Sequence, residues 1–163
     1  PTPGAMELPD LKKFAPWLKE LGWHAEIWAK CEFIVAAAAD LKSYGIPGVF
    51  DHMGYFDKAK PVTAATFQDY LRLLRDGDFW VKLTPTRVTN MVGDYSDVRP
   101  FFEAIVQAIP DRVVFGSDWP YISMDAAPPK VGEIIDLFDG WIHDSQRQKI
   151  YVDNPKRLLG RWY

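Results

Sequence analysis

The chain holds one cysteine, Cys31, among 163 residues. A lone cysteine closes no intramolecular disulfide, and no secretory apolar segment argues for an oxidising compartment, so the cytosol is the default expectation. A glycine-rich phosphate loop, a Gly-x-Ser-x-Gly elbow and a Cys-x-x-Cys pair are all missing. Their absence argues against a nucleotide enzyme, a serine hydrolase and a structural zinc site. No apolar run approaches the roughly 20 residues that cross a bilayer. Positive charge is not in excess either, with 19 Lys and Arg against 22 Asp and Glu and a net charge of −3. A phosphate backbone would demand a cationic footprint, so neither nucleic acid nor membrane is an expected partner.

The composition that remains, 48% hydrophobic and 25% charged, suits a single compact domain over residues 1–163. The sequence opens on Pro1 rather than methionine, as a processed chain or a piece of a longer one would.

Leu11, Phe14, Trp17, Leu18 and Leu21 recur at helical spacing after Asp10, the expected N-cap, and Gly22 closes the segment. The stretch 23–29 (WHAEIWA) predicts a strand, and the alanine-rich 32–45 predicts one helix lying close against a sheet. A second strand in VFDHMG follows, then a helix capped by Thr63 and stopped by Gly77. A third strand spans Phe79 to Thr84, a third helix runs up to Pro110, and a fourth strand lies in RVVFGSD. Two more helical stretches finish the chain, with VDNP expected as a turn and Asn154 as the cap of the last helix start. Strands alternating with helices imply right-handed βαβ units and a parallel sheet covered by helices, an α/β fold.

In such sheets function collects at the carboxyl ends of the strands. Asp118 follows the buried run Val113-Val114-Phe115 and precedes Trp119-Pro120, so a rigid strand would hold its carboxylate at the rim. It suits a general base or a metal donor, and equally a turn or capping aspartate. His52, just past a second apolar run, could accept a proton, ligate a metal or be a satisfied structural histidine, with Asp51 beside it in sequence. Arg87, in the loop after the third strand, could clamp a substrate carboxylate in bidentate fashion or simply face solvent. His24 is expected in sheet-to-helix packing, and His143 at a helix junction or on the surface.

Taken together and in order, LKELGWHAEIW, GVFDHMG, FWVKLT, RVVFGSDWP and IYVDNPKRLLG resemble the carboxyl-terminal half of the amidohydrolase-2 family, in its 2-pyrone-4,6-dicarboxylate lactonase-like branch. The resemblance implies a (β/α)₈ TIM barrel whose fifth to eighth strands are the four found here. It implies Asp118 as the aspartate that activates water, His52 as the histidine that polarises the scissile carbonyl, and Arg87 near a position that reaches a substrate carboxylate. Trp28 takes the strand-five position that is often His or Tyr, and Tyr55 stands where the lactonases tend to have an arginine. Family members that bind a divalent metal such as zinc open with a His-x-His pair, and this chain has none. The metal question therefore stays open at the level of sequence.

A closed eight-stranded barrel needs at least about 200 residues. The missing half is expected from upstream sequence, from another chain or from a second copy, since an isolated half-barrel exposes two sheet edges. The leading functional expectation is a hydrolase of a small carboxylated lactone or related cyclic ester. Its alternatives are a decarboxylase of the same superfamily and a non-catalytic half-barrel that binds or dimerises. A flavodoxin-like domain would need the phosphate-cradling loop that the sequence lacks.

Overall fold

A computed structural model describes residues 6–122, 124 and 127–160. Helix α1 (Leu8–Glu20) leads into β1 (Ala25–Ile27), and α2 (Cys31–Ala36) and α3 (Ala38–Ser43) lead to β2 (Gly48–Phe50). A tight turn, Asp51–Gly54, then precedes α4 (Ala65–Asp76), β3 (Phe79–Leu83), α5 (Arg99–Ala108) and β4 (Val113–Phe115). The chain ends in α6 (Val131–Asp139), α7 (Asp144–Gln148) and α8 (Asn154–Leu159). All four strands are parallel and pair in the order β1-β2-β3-β4, the sheet that alternating strands and helices predict.

Period-two alternation splits each strand between two faces. Phe50, Val81, Leu83 and Val113 enter the main core with Ile34, Leu74, Phe102 and Ile105 from the helices. On the opposite face Val49, Trp80 and Val114 form a smaller buried cluster against Leu158, and the Arg157 guanidinium lies 5.0 Å from the Trp80 ring centre. Helix α8 is pinned there by Asn154, which is buried and donates from Nδ2 to the carbonyls of Pro110 (3.1 Å) and Val113 (2.8 Å). Those carbonyls sit at the amino end of β4. Leu158 and Arg157 therefore cover the lower part of this face, and its upper part carries the polar side chains described below.

Several local expectations give way to tertiary packing. Alanine favours helix but offers no large side chain to commit 32–45 to one axis, and the segment breaks at Ala37 (φ −88°, ψ 4°) into two short helices. Helix α1 starts earlier than Asp10, which lies in its first turn and binds Lys13 at 2.9 Å instead of capping. Thr63 caps nothing. The turn before α4 is closed by Ala64 N donating to the Pro61 carbonyl at 2.9 Å and by Gln68 Nε2 donating to the Val62 carbonyl at 2.9 Å. VDNP is not a turn between separate helices, because a wide helical turn over Lys149–Asp153 carries the backbone continuously from α7 into α8. Asn154 is accordingly a buried tie to β4 and makes no cap.

Candidate active site at the carboxyl rim

The strands end where the backbone turns most sharply. His52 (φ 48°), Met53 (φ 59°) and Tyr55 (φ 41°) follow β2 in the left-handed region, and Asp118 (φ 67°) does the same after β4. Each such non-glycine residue costs on the order of 1–3 kcal/mol, and strain of this kind persists where surrounding contacts over-determine the geometry. Gly54 (φ 77°) sits in the β2 turn against the Tyr70 ring, where an added Cβ would lie 2.4 Å from the phenol oxygen. The buried turn is thereby wedged against α4.

Asp118 accepts two hydrogen bonds at one oxygen, Oδ2, from Thr86 Oγ1 at 3.0 Å and from Arg87 Nε at 2.6 Å. Arg87 also donates from Nη2 to the Ile122 carbonyl at 2.7 Å, so its guanidinium links the loop after β3 to the loop after β4. The hydrogen bonds from described residues leave Oδ1 to other partners. His52 stands near enough to Asp118 and Asp51 for both carboxylates to bear on its protonation. Burial lowers its pKa below the ordinary histidine value; the two carboxylates pull upward without cancelling that, and the Arg87 and Lys82 cations add to the lowering. The imidazole is neutral near neutral pH. Its Nδ1 is buried with no hydrogen-bond partner among the described residues.

Trp28 packs edge-on to His52 with ring centres 5.8 Å apart and is itself 63% exposed, so it forms one wall of the rim. Tyr55 and Arg87 line a hollow of about 730 Å³ that also takes in Lys30, Lys58 and Lys60. His52 and Asp118 are not among its lining residues; they stand beside it, joined to it through Tyr55 and Arg87. Cys31 lines the same hollow, but burial pushes its thiol pKa up to about 12, which leaves it protonated and a poor nucleophile. His24 is largely buried, with its Nε2 3.8 Å from Glu26 Oε1. His143 sits at the start of α7, where its backbone N–H donates to Gln146 Oε1 at 2.9 Å, far from this chemistry in the fold.

One member of the rim reads from sequence only as part of a polar strand end, Lys82 with Thr84, with no role attached. Lys82 of β3 shares its ammonium between Glu26 Oε2 of β1 (2.9 Å) and Asp51 Oδ1 after β2 (2.8 Å). Burial is the largest single influence and would lower its pKa; the hydrogen bonds and negative charges of Asp51 and Glu26 together outweigh it and hold the pKa above the ordinary lysine value, so Lys82 stays charged. The signal available was one lysine at an alternate position of the otherwise apolar strand FWVKL. Such a residue reads equally as a solvated face.

These pairings bear on a divalent ion. Glu26 and Asp51 are occupied by Lys82, and Asp118 by Arg87, so each rim carboxylate already has its cation. Among the described residues no three or more His, Cys, Asp and Glu side chains gather as a donor set. The described residues do not by themselves fit a divalent metal site.

A family model described as amidohydrolase matches residues 1–161. The 4-sulfomuconolactone hydrolase of Hydrogenophaga intermedia is 32% identical over 97% of this chain and 54% of its own length. The 2-pyrone-4,6-dicarboxylate hydrolase of Comamonas testosteroni is 29% identical over 91% of this chain and 52% of its own length. A crystal structure from Agrobacterium tumefaciens superposes with a TM-score of 0.85 at 24% identity, over 97% of this chain and 58% of that one, which shows a shared α/β fold. The chain thus spans about half the length of the curated relatives it matches. With its parallel sheet, its rim of polar strand exits and a family match along nearly its whole length, the chain belongs to the amidohydrolase family, in the lactonase-like branch.

Proposed function

We propose that the chain supplies strands five to eight of an amidohydrolase barrel and the acid–base residues of a lactone hydrolase. The observation that carries this reading is that His52 and Asp118 leave β2 and β4 at the same carboxyl edge of one parallel sheet, with Asp118 held by Thr86 and Arg87 and the hollow lined by Arg87 and Tyr55 alongside. Asp118 takes a proton from water as the water oxygen attacks the lactone carbonyl carbon. His52, neutral because it is buried, donates a hydrogen bond to the carbonyl oxygen as negative charge develops there. Collapse of the tetrahedral species breaks the ring C–O bond, and the proton held by Asp118 returns to the departing ring oxygen. The product is an open chain with one more carboxylate.

The substrate class follows from the hollow and from the relatives. The hollow carries both signs, Lys30, Lys58, Lys60 and Arg87 with Glu32, Asp57 and Asp97, and Lys60 and Arg87 already pair with Asp57 and Asp118, so Lys30 and Lys58 are the cations left to meet an anionic group on a small lactone, with Tyr55 as a flat side. The relatives' names specify a sulfonated muconolactone and a pyrone dicarboxylate. The test is hydrolysis of these two lactones by the complete barrel that contains this chain and by its Asp118→Asn variant. Loss of a general base lowers turnover by at least about 100-fold with folding intact. A correctly folded Asp118→Asn variant that keeps parental turnover removes Asp118 from the mechanism.

A second reading rests on the sheet itself. Among the described strands β1 and β4 each pair on one side only, as an open half-barrel would. Association through those edges, with an upstream half or a second copy, completes the barrel in the first reading and is the whole function in the second.

A further inference from the structure

Lys82 takes no part in the proposed bond-making steps, yet it bridges two carboxylates of the rim. Its ammonium reaches Glu26 on β1 and Asp51 at the exit of β2, so one residue of β3 ties two neighbouring strands across the open face. Its stem reaches β4 as well. A Cβ built on Gly116 would lie 2.6 Å from Lys82 Cγ and 2.8 Å from Cδ, so the absence of a side chain there makes the notch through which the lysine passes. The neighbours are placed for consequence. Asp51 immediately precedes His52, and Gly116 stands two residues before Asp118. The Lys82 side chain is 26% exposed, which leaves its geometry set by these partners more than by water.

We propose that Lys82 is a positioning residue: by clamping Asp51 to Glu26 and filling the Gly116 notch, it holds the His52 turn and the Asp118 turn at a fixed separation. This rests on the lactonase reading for its effect on turnover, but not for its effect on His52. The charged groups that face His52 are Asp51 beside it, Lys82 from β3, Arg87 from the loop after β3 and Asp118 after β4. Glu26 of β1 completes the set through Lys82. Removing the ammonium frees Asp51 and deletes one of the two cations that disfavour imidazolium. His52 must then titrate at higher pH.

The experiment is a pH titration of the three histidine imidazoles by NMR in the parent chain, Lys82→Met and Lys82→Arg, with turnover of the lactones measured alongside. His24 and His143 serve as internal references. Lys82→Met is expected to raise the His52 midpoint by at least about half a pH unit, and to lower kcat at least about tenfold with KM little changed, since small misplacements of reacting groups are costly. Lys82→Arg keeps the charge and is expected to leave the His52 midpoint near the parental one while recovering part of kcat. Should Lys82→Met fail to fold, the same change combined with Glu26→Gln, which leaves one fewer unpaired carboxylate, is measured in its place. A folded variant whose His52 midpoint matches the parent overturns the proposal whatever its turnover. A complete barrel containing the parent chain that hydrolyses neither lactone counts against the lactonase reading, while the titration still decides the role of Lys82.

Discussion

At Asp118 the backbone adopts φ 67°, a conformation most residues avoid and aspartate tolerates better than most. Its carboxylate leans on Thr86 and Arg87, so the strained turn is held by the loop after β3. Gly116 shows how little slack the rim has. An added Cβ would meet Thr84 Oγ1 at 2.5 Å and the Lys82 stem at 2.6 Å, so Gly116→Ala is expected to destabilise the fold by about 1–3 kcal/mol. Urea unfolding measures this, and an unchanged midpoint would show that the Lys82 stem moves aside freely. His52 sets a pH dependence with a definite sign. Because burial lowers its folded-state pKa below the ordinary 6.5, the unfolded chain binds the proton more readily. The stability associated with neutral His52 is therefore complete above about pH 6.5 and is lost as pH falls through that value toward the lowered one. Turnover should fall over the same acid window, and a His52→Gln variant should lose this contribution to the acid limb. Asp118 and His52 were legible because each is a polar residue delivered by a buried apolar run. The engagement of Arg87 with Asp118 was not, since a loop arginine in sequence carries no information about which carboxylate it will meet.

Among the elements, β2, β3, β4 and α5 follow from periodicity and from stops such as Gly77 and Pro110. The failures share one physical cause. Alanine at 36–39 and the polar run from Asp144 onward state a helical preference without stating an axis, so the break at Ala37 and the wide turn over Lys149–Asp153 are decided by what each side chain can bury. Ile34 and Leu41 flank the first, and Ile150 sits within the second. Asn154 is the clearest case, because its sequence signature of a helix start conceals a buried amide that ties α8 to β4. Asn154→Ala leaves the Pro110 and Val113 carbonyls without that donor and is expected to cost about 1–3 kcal/mol. Thermal or urea unfolding checks this, and a loss within experimental error would mean that Leu158 and Arg157 alone seat the helix.

For the molecule as a whole, the sheet is half of a closed arrangement in the proposed reading, and none of its helices is long and apolar enough to cross a membrane among the described residues. In hydrogen exchange the central strands β2 and β3, paired on both sides, should protect their amides most, and the outer sides of β1 and β4 least. Equal protection across all four strands would mean that a second copy covers the edges, which light scattering would register as a dimer. The central claim belongs to this scale too, because only the parallel sheet brings the exits of β2 and β4 to one rim. It is that His52 and Asp118 act on the same lactone as a unit, and a kinetic cycle of His52→Gln, Asp118→Asn and the double variant tests it most directly. The account predicts that the double variant loses little more turnover than the worse single one. Losses that multiply, as for two residues working independently, would contradict it.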